Sequence, residues 1–112
     1  MTEVAERPLV VLTTAGSEEQ AAAIARGLVE RRLAACVTVL PTNCSVYRWQ
    51  GELVEEEEKL LLVKTAERLF SRVRDAIREL HSYEVPEVLA LPVADGDPTY
   101  LRWLAESVAE NA

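Results

Sequence analysis

An α+β sandwich of β-α-β-β-α-β order, with a long β-hairpin and an extra C-terminal helix, is the fold this 112-residue chain predicts. Three observations point to it. Segments of alternating or β-branched apolar residues take turns with segments of helical spacing in that order. The two central strand segments follow one another across a short Gln50-Gly51-Glu52 turn. The length suits one hydrophobic core, and 49% hydrophobic against 28% charged residues, with four Gly and five Pro, excludes disordered and collagen-like chains.

Residues 1–7 read as a frayed tail and 8–112 as a single domain. Leu9 to Leu12 form a buried first strand that turns at Thr13 to Gly16. Ser17 with Gln20 makes a capping box, and Ala21, Ile24, Ala25, Leu28 and Val29 follow at i, i+3, i+4, i+7 and i+8, which predicts a helix over residues 18–32. Cys36 to Leu40 alternate as a second strand. Pro41 is expected to break it, since it has no N–H to donate to a ladder, and the strand resumes at Ser45 to Gln50 with Tyr47 and Trp49 on one face. The chain then returns through Glu58 to Thr65 as a central strand.

Thr65 is placed to cap a second helix with apolar positions Leu69, Val73, Ile77 and Leu80, ending near His81 because Pro86 disfavours helix in the residue before it. A fourth strand is expected over Glu87 to Ala94. Asp97 as N-cap and Pro98 at the first helical position open a final helix with the stripe Leu101, Leu104, Ala105 and Val108. Two right-handed crossovers make this order a ferredoxin-like antiparallel sheet with helices on one face. A hairpin from Cys36 to Thr65 is longer than so small a domain needs, so its outer half should project beyond the subunit core.

Charge limits the partners. Twelve Lys and Arg against nineteen Asp and Glu give a net charge of −7, and no half of the chain is basic, which argues against nucleic acid. Arg68, Arg72, Arg74 and Arg78 are interleaved with acids and read as a solvated helix face. No apolar stretch approaches the ~20 residues of a membrane helix, and the first residues lack the apolar core of a secretory signal. Two cysteines make neither a disulfide scaffold nor a structural zinc site, so a cytoplasmic location is expected.

AACV at 34–37, SVYRWQG at 45–51, LLLVKT at 60–65 and HSYEVPE at 81–87, in this order and spacing, make the chain similar to the CutA family of divalent-cation tolerance proteins from Leu9 to Leu104. The resemblance implies a ferredoxin-like subunit assembled as a homotrimer, linked to copper and other divalent metals, with no established reaction. It also implies a metal role for a cysteine closing the first strand, where this chain has Thr13, and for a histidine, which is His81; Ser82 stands where many relatives have proline. Thr13 is a poor ligand for a soft cation.

The candidate metal set is therefore His81 with Glu84 or Glu87, binding a divalent ion weakly and copper better than zinc. The competing reading makes His81 a cap for the last helix carbonyls. Cys36 reads as packing and Cys44 as a turn residue with no activating neighbour. Glu55 to Glu58 read as a solvated edge, because adjacent strand residues point to opposite faces and cannot converge on one ion. Tyr47 and Trp49 are assigned to a subunit interface, where aromatics are enriched.

The function expected is a binding or sensing module, not an enzyme and without an obligatory cofactor. The alternative is a small-molecule sensor resembling the PII signalling proteins, which bind effectors between subunits, although no Gly-rich phosphate loop is present. A third reading makes His81, Tyr83 and Glu87 an acid-base cluster, but no nucleophile stands beside a base to support it.

Overall fold

The computed structural model describes residues 7–110, position 42 by its backbone alone. The elements are β1 (Pro8–Ala15), α1 (Glu18–Glu30), β2 (Cys36–Trp49), β3 (Glu52–Ala66), a 3-10 turn (Glu67–Leu69), α2 (Phe70–Leu80), β4 (Leu89–Pro92) and α3 (Pro98–Ser107). The antiparallel sheet has the order β2-β3-β1-β4. The expected tail lies outside the described residues except for Arg7, whose carbonyl accepts the Glu67 N–H at 2.8 Å.

Period two divides the sheet into a helix face and an open face. Leu9, Val11 and Ala15 of β1 and Leu61 and Val63 of β3 are buried against Ile24 and Leu28 of α1 and Val73 and Ile77 of α2. On the open face the ladder sets Val10 against Lys64 and Leu91, and Leu12 against Leu62 and Leu89. There Val10, Leu12, Leu60 and Leu62 are only half-buried, and Leu89 and Leu91 are exposed. The second face of this sheet is thus apolar without being covered to the same depth as the first.

β1 pairs with β3 only as far as Lys59, so Glu52 to Glu58 pair with β2 alone. That two-stranded ribbon adds about 20 Å at the usual rise per residue and gives the subunit its extents of 55 × 25 × 23 Å. Gln50 and Gly51 turn it with φ of 50° and 85°, a left-handed conformation that glycine adopts without strain.

Pro41 does not break β2. The register runs Leu40 to Leu60 and then Asn43 to Glu58, three residues on β2 against two on β3, so one extra residue is absorbed as a bulge. The consequence is a change of parity. Cys36, Thr38 and Leu40 lie on the open face before the bulge, and Asn43, Ser45, Tyr47 and Trp49 lie there after it.

Other local expectations change for identifiable reasons. Ser17 does cap α1, accepting from Gln20 N at 3.1 Å, but the Gln20 side chain spans to the end of α2 and does not close a capping box. Thr65 is a buried strand residue whose hydroxyl donates to Leu33 O at 2.6 Å, and α2 is entered through the 3-10 turn. The helix ends at His81 as expected, and Asp97 caps α3 by accepting from Tyr100 N at 3.0 Å.

Candidate functional site

A cleft of about 600 Å³ opens between the outer ribbon and the 83–87 loop. β3 contributes Glu56 and Glu58, which share a face as i and i+2. β2 contributes Ser45, Tyr47 and Trp49 after the parity change at the bulge, Thr14 comes from the end of β1, and Tyr83, Glu84, Val85 and Glu87 come from the loop.

The loop is held against the sheet by specific bonds. Gln20 donates through Nε2 to Leu80 O and accepts through Oε1 from Ser82 N, both at 3.0 Å. His81, 9% exposed, places Nε2 2.5 Å from Thr14 O, and its Nδ1 lies 3.1 Å from Tyr83 N. A carbonyl only accepts and an amide N–H only donates, so the proton sits on Nε2 and both ring nitrogens are engaged. The ring lies 4.5 Å from that of Tyr83 at a 38° tilt. Gly16 lets the phenol approach, because a Cβ there would stand 3.0 Å from Tyr83 Oη.

Two phenols meet two carboxylates inside the cleft. Tyr47 Oη donates to Glu56 Oε1 at 2.6 Å, and Tyr83 Oη donates to Glu58 Oε2 at 2.8 Å. Glu58 is only 5% exposed. Burial, reinforced by the bond to Glu58, pushes the Tyr83 phenol upward. The bond to Glu56 is the main reason that Tyr47 is pushed up to about 12 from 10.0, with burial and the Glu56 and Glu58 charges adding to it.

A folded-state pKa above the ordinary one means that the Tyr47 contact supports the fold fully below pH 10 and is lost as pH rises through about 12. Phenolate absorbance should therefore show Tyr47 ionising near pH 12, and Glu56→Gln should move that step back toward the ordinary range. An unchanged Tyr47 titration in Glu56→Gln would show that the bond is not the cause.

The residues singled out from sequence are only partly brought together. Glu84 and Glu87 line the cleft, as do Tyr47 and Trp49, whereas His81 lies behind the wall with both nitrogens in use. Among the described residues no three His, Cys, Asp or Glu side chains converge to hold a metal ion. His81 ends α2 but directs its ring to β1, not to the helix carbonyls expected to receive it. Thr13 faces the helix layer, fully buried, with a hydroxyl that finds no partner among the described residues, while Thr14 faces the cleft.

Glu58 departs from the expected solvated edge: β3 pairs here with β2 alone, but the 83–87 loop covers this residue. The pattern Glu56-x-Glu58 signalled a shared face, but only tertiary structure placed Tyr83 above it. Cys36 is half-buried and not core, on the open face beside Lys64, whose Nζ is 3.7 Å from Sγ and also donates to Thr38 Oγ1. Cys44 is exposed.

The sequence pattern of the CutA1 divalent ion tolerance protein family matches residues 9–107. The chain is 54% identical over 98 residues to the divalent-cation tolerance protein CutA of Thermus thermophilus, covering 88% of this chain and 95% of that protein. It is 49% identical over 87 residues to the CutA homologue of Xenopus laevis, covering 78% of this chain and 58% of that longer protein. The crystal structure of CutA1 from Oryza sativa superimposes with a TM-score of 0.93 at 36% identity, over 96% of this chain and 98% of that one.

Proposed function

Because the chain belongs to the CutA1 divalent ion tolerance family, we propose that it is a cation-binding module that contributes to divalent-ion tolerance, copper included, without catalysing a reaction. One observation carries the reading: the cleft gathers Glu56, Glu58, Glu84 and Glu87, and no basic side chain lines it. Four carboxylates in one recess attract cations and repel anions. The working form is a homotrimer in which neighbouring subunits cover the apolar part of the open face formed by β1, β4 and Leu62 of β3 and border the aromatic side of the hairpin without filling the cleft. Two separate patches support it: exposed Leu89 and Leu91 beside half-buried Val10 and Leu12 on the sheet, and exposed Trp49 near the tip of the ribbon, since apolar surface of this kind marks interfaces. A cytoplasmic location agrees with two free cysteines and with the absence, among the described residues, of a helix long and apolar enough to cross a membrane.

Divalent binding is expected to be weak and to rest on the Glu84 and Glu87 carboxylates. Thr13 offers no soft donor on the cleft side, and His81 could ligate only by giving up Thr14 O or Tyr83 N. Calorimetric titration with copper should show a several-fold loss of affinity in Glu84→Gln, Glu87→Gln and a change of no more than about twofold in His81→Ala. A larger loss in His81→Ala than in the double variant, with the oligomer intact, would return the metal to the imidazole.

A second reading is favoured by the aromatic walls. A hydrated metal ion has no use for Tyr47, Trp49 and Tyr83, whereas an organic effector in a cleft completed by a neighbouring subunit does.

A further inference from the structure

We propose that the cleft binds an aliphatic polyammonium ion, a chain of methylenes carrying protonated primary or secondary amines; this rests on the effector reading just given. The carboxylates alone would not carry the inference. Two further observations do.

The first is Glu58. It is 95% buried and lines the cleft, yet among the described residues its only hydrogen-bond donor is the Tyr83 phenol on Oε2, and no cationic side chain pairs with it. A carboxylate withdrawn from water this far is costly unless a charge compensates it. Oε1 remains for an incoming donor. The second is the wall chemistry. Tyr47, Trp49 and Tyr83 offer ring faces beside the acids, and aromatic faces with carboxylates attract organic cations.

The details narrow the class. A nucleotide or phosphate would meet four carboxylates and no basic lining side chain. A quaternary ammonium has no N–H for Glu58 Oε1. A small hard cation would use the carboxylates but waste the aromatic surface, and no three of the acids converge on one point among the described residues. Carboxylates spread along a groove, with apolar rings between them, match amines spaced along a hydrocarbon chain.

Spermidine is the probe, titrated into the full chain by calorimetry and followed by Trp49 emission in a Trp103→Phe background. Saturable binding is expected. Glu58→Gln, which keeps an acceptor for Tyr83, should weaken it at least about tenfold, as expected for losing a charged hydrogen bond. Trp49→Leu should weaken it a few-fold, with the oligomeric state of each variant checked by light scattering. Choline should bind more weakly than spermidine.

Equal affinity in Glu58→Gln, or displacement of spermidine by magnesium at the same total charge, would overturn the proposal. Binding of ATP in place of spermidine would overturn the ammonium class while leaving an effector cleft. Silence of Trp49 toward both, in an intact oligomer, would remove the effector reading as well.

Discussion

Leu62→Glu is expected to turn the assembled protein into a folded monomer. Light scattering should report about the 12.5 kDa of one chain, where the parent, as the proposed homotrimer, should give three times that mass. Leu62 sits in the middle of the open face, with Leu12 on one side and Thr38 on the other. In the isolated subunit it is half-buried, so a glutamate there keeps access to water and the helix-face core is untouched. Against neighbouring subunits the same carboxylate loses its water without a partner, at an effective cost of several kcal/mol per copy. Each 1.4 kcal/mol is tenfold in association, so three copies dissociate the assembly at micromolar concentration. Retained circular dichroism with loss of mass is the expected pair of results. A variant that keeps the parent mass would show that the apolar sheet face is not the interface.

Insertion of one alanine after Pro41 should have the other large effect, on the cleft and not on the core. The bulge absorbs one extra residue of β2, and with that register Tyr47 and Trp49 share the face of Glu56 and Glu58. A second extra residue, with the bulge still absorbing one, sets Asn43 opposite Glu57 and Tyr47 opposite Leu53 and so places both aromatics on the opposite face, because side chains alternate with a period of two. The Tyr47 to Glu56 bond is then lost, and the Tyr47 phenol should titrate near its ordinary 10.0 in place of about 12. Binding in the cleft should disappear with it. Thermal stability should change little, since the buried cluster of Leu9, Val11, Leu61 and Val63 lies on the far side of the bulge. A late Tyr47 titration that survives the insertion would mean that the ribbon slips to restore its faces and that the one-residue bulge does not set them.

Much of the fold was legible in the sequence because its signals are local. Apolar spacing marked α1, α2 and α3, Ser17 and Asp97 marked two helix starts, and the residue before Pro86 lay just beyond the end of α2. Tyr47 and Trp49 were legible as partners on one face for the same reason, and Glu84 and Glu87 as groups close to one another in the chain. The misreadings share a different origin. Thr65 and Gln20 have side chains suited to capping, but a carbonyl at Leu33 and the end of α2, far away in sequence, provided other partners. Glu58 looked like any member of an acidic run until the loop from 83 to 87 closed over it.

The sequence by itself determined the order of elements, the helix boundaries to within a few residues, the long hairpin and the acidic character of its outer half, since these follow from periodicity, capping chemistry and charge along a short stretch of chain. Tertiary structure alone decided which face of the sheet the aromatics join, that His81 spends both nitrogens on Thr14 and Tyr83, and that Glu58 becomes a buried carboxylate beneath a phenol. The physical reason is that each of these depends on strand register or on a partner far away in sequence, 67 residues for His81 and Thr14 and 25 for Glu58 and Tyr83. One extra residue at Pro41 reverses a strand's faces, and a side chain's partner is set by what the folded chain brings beside it.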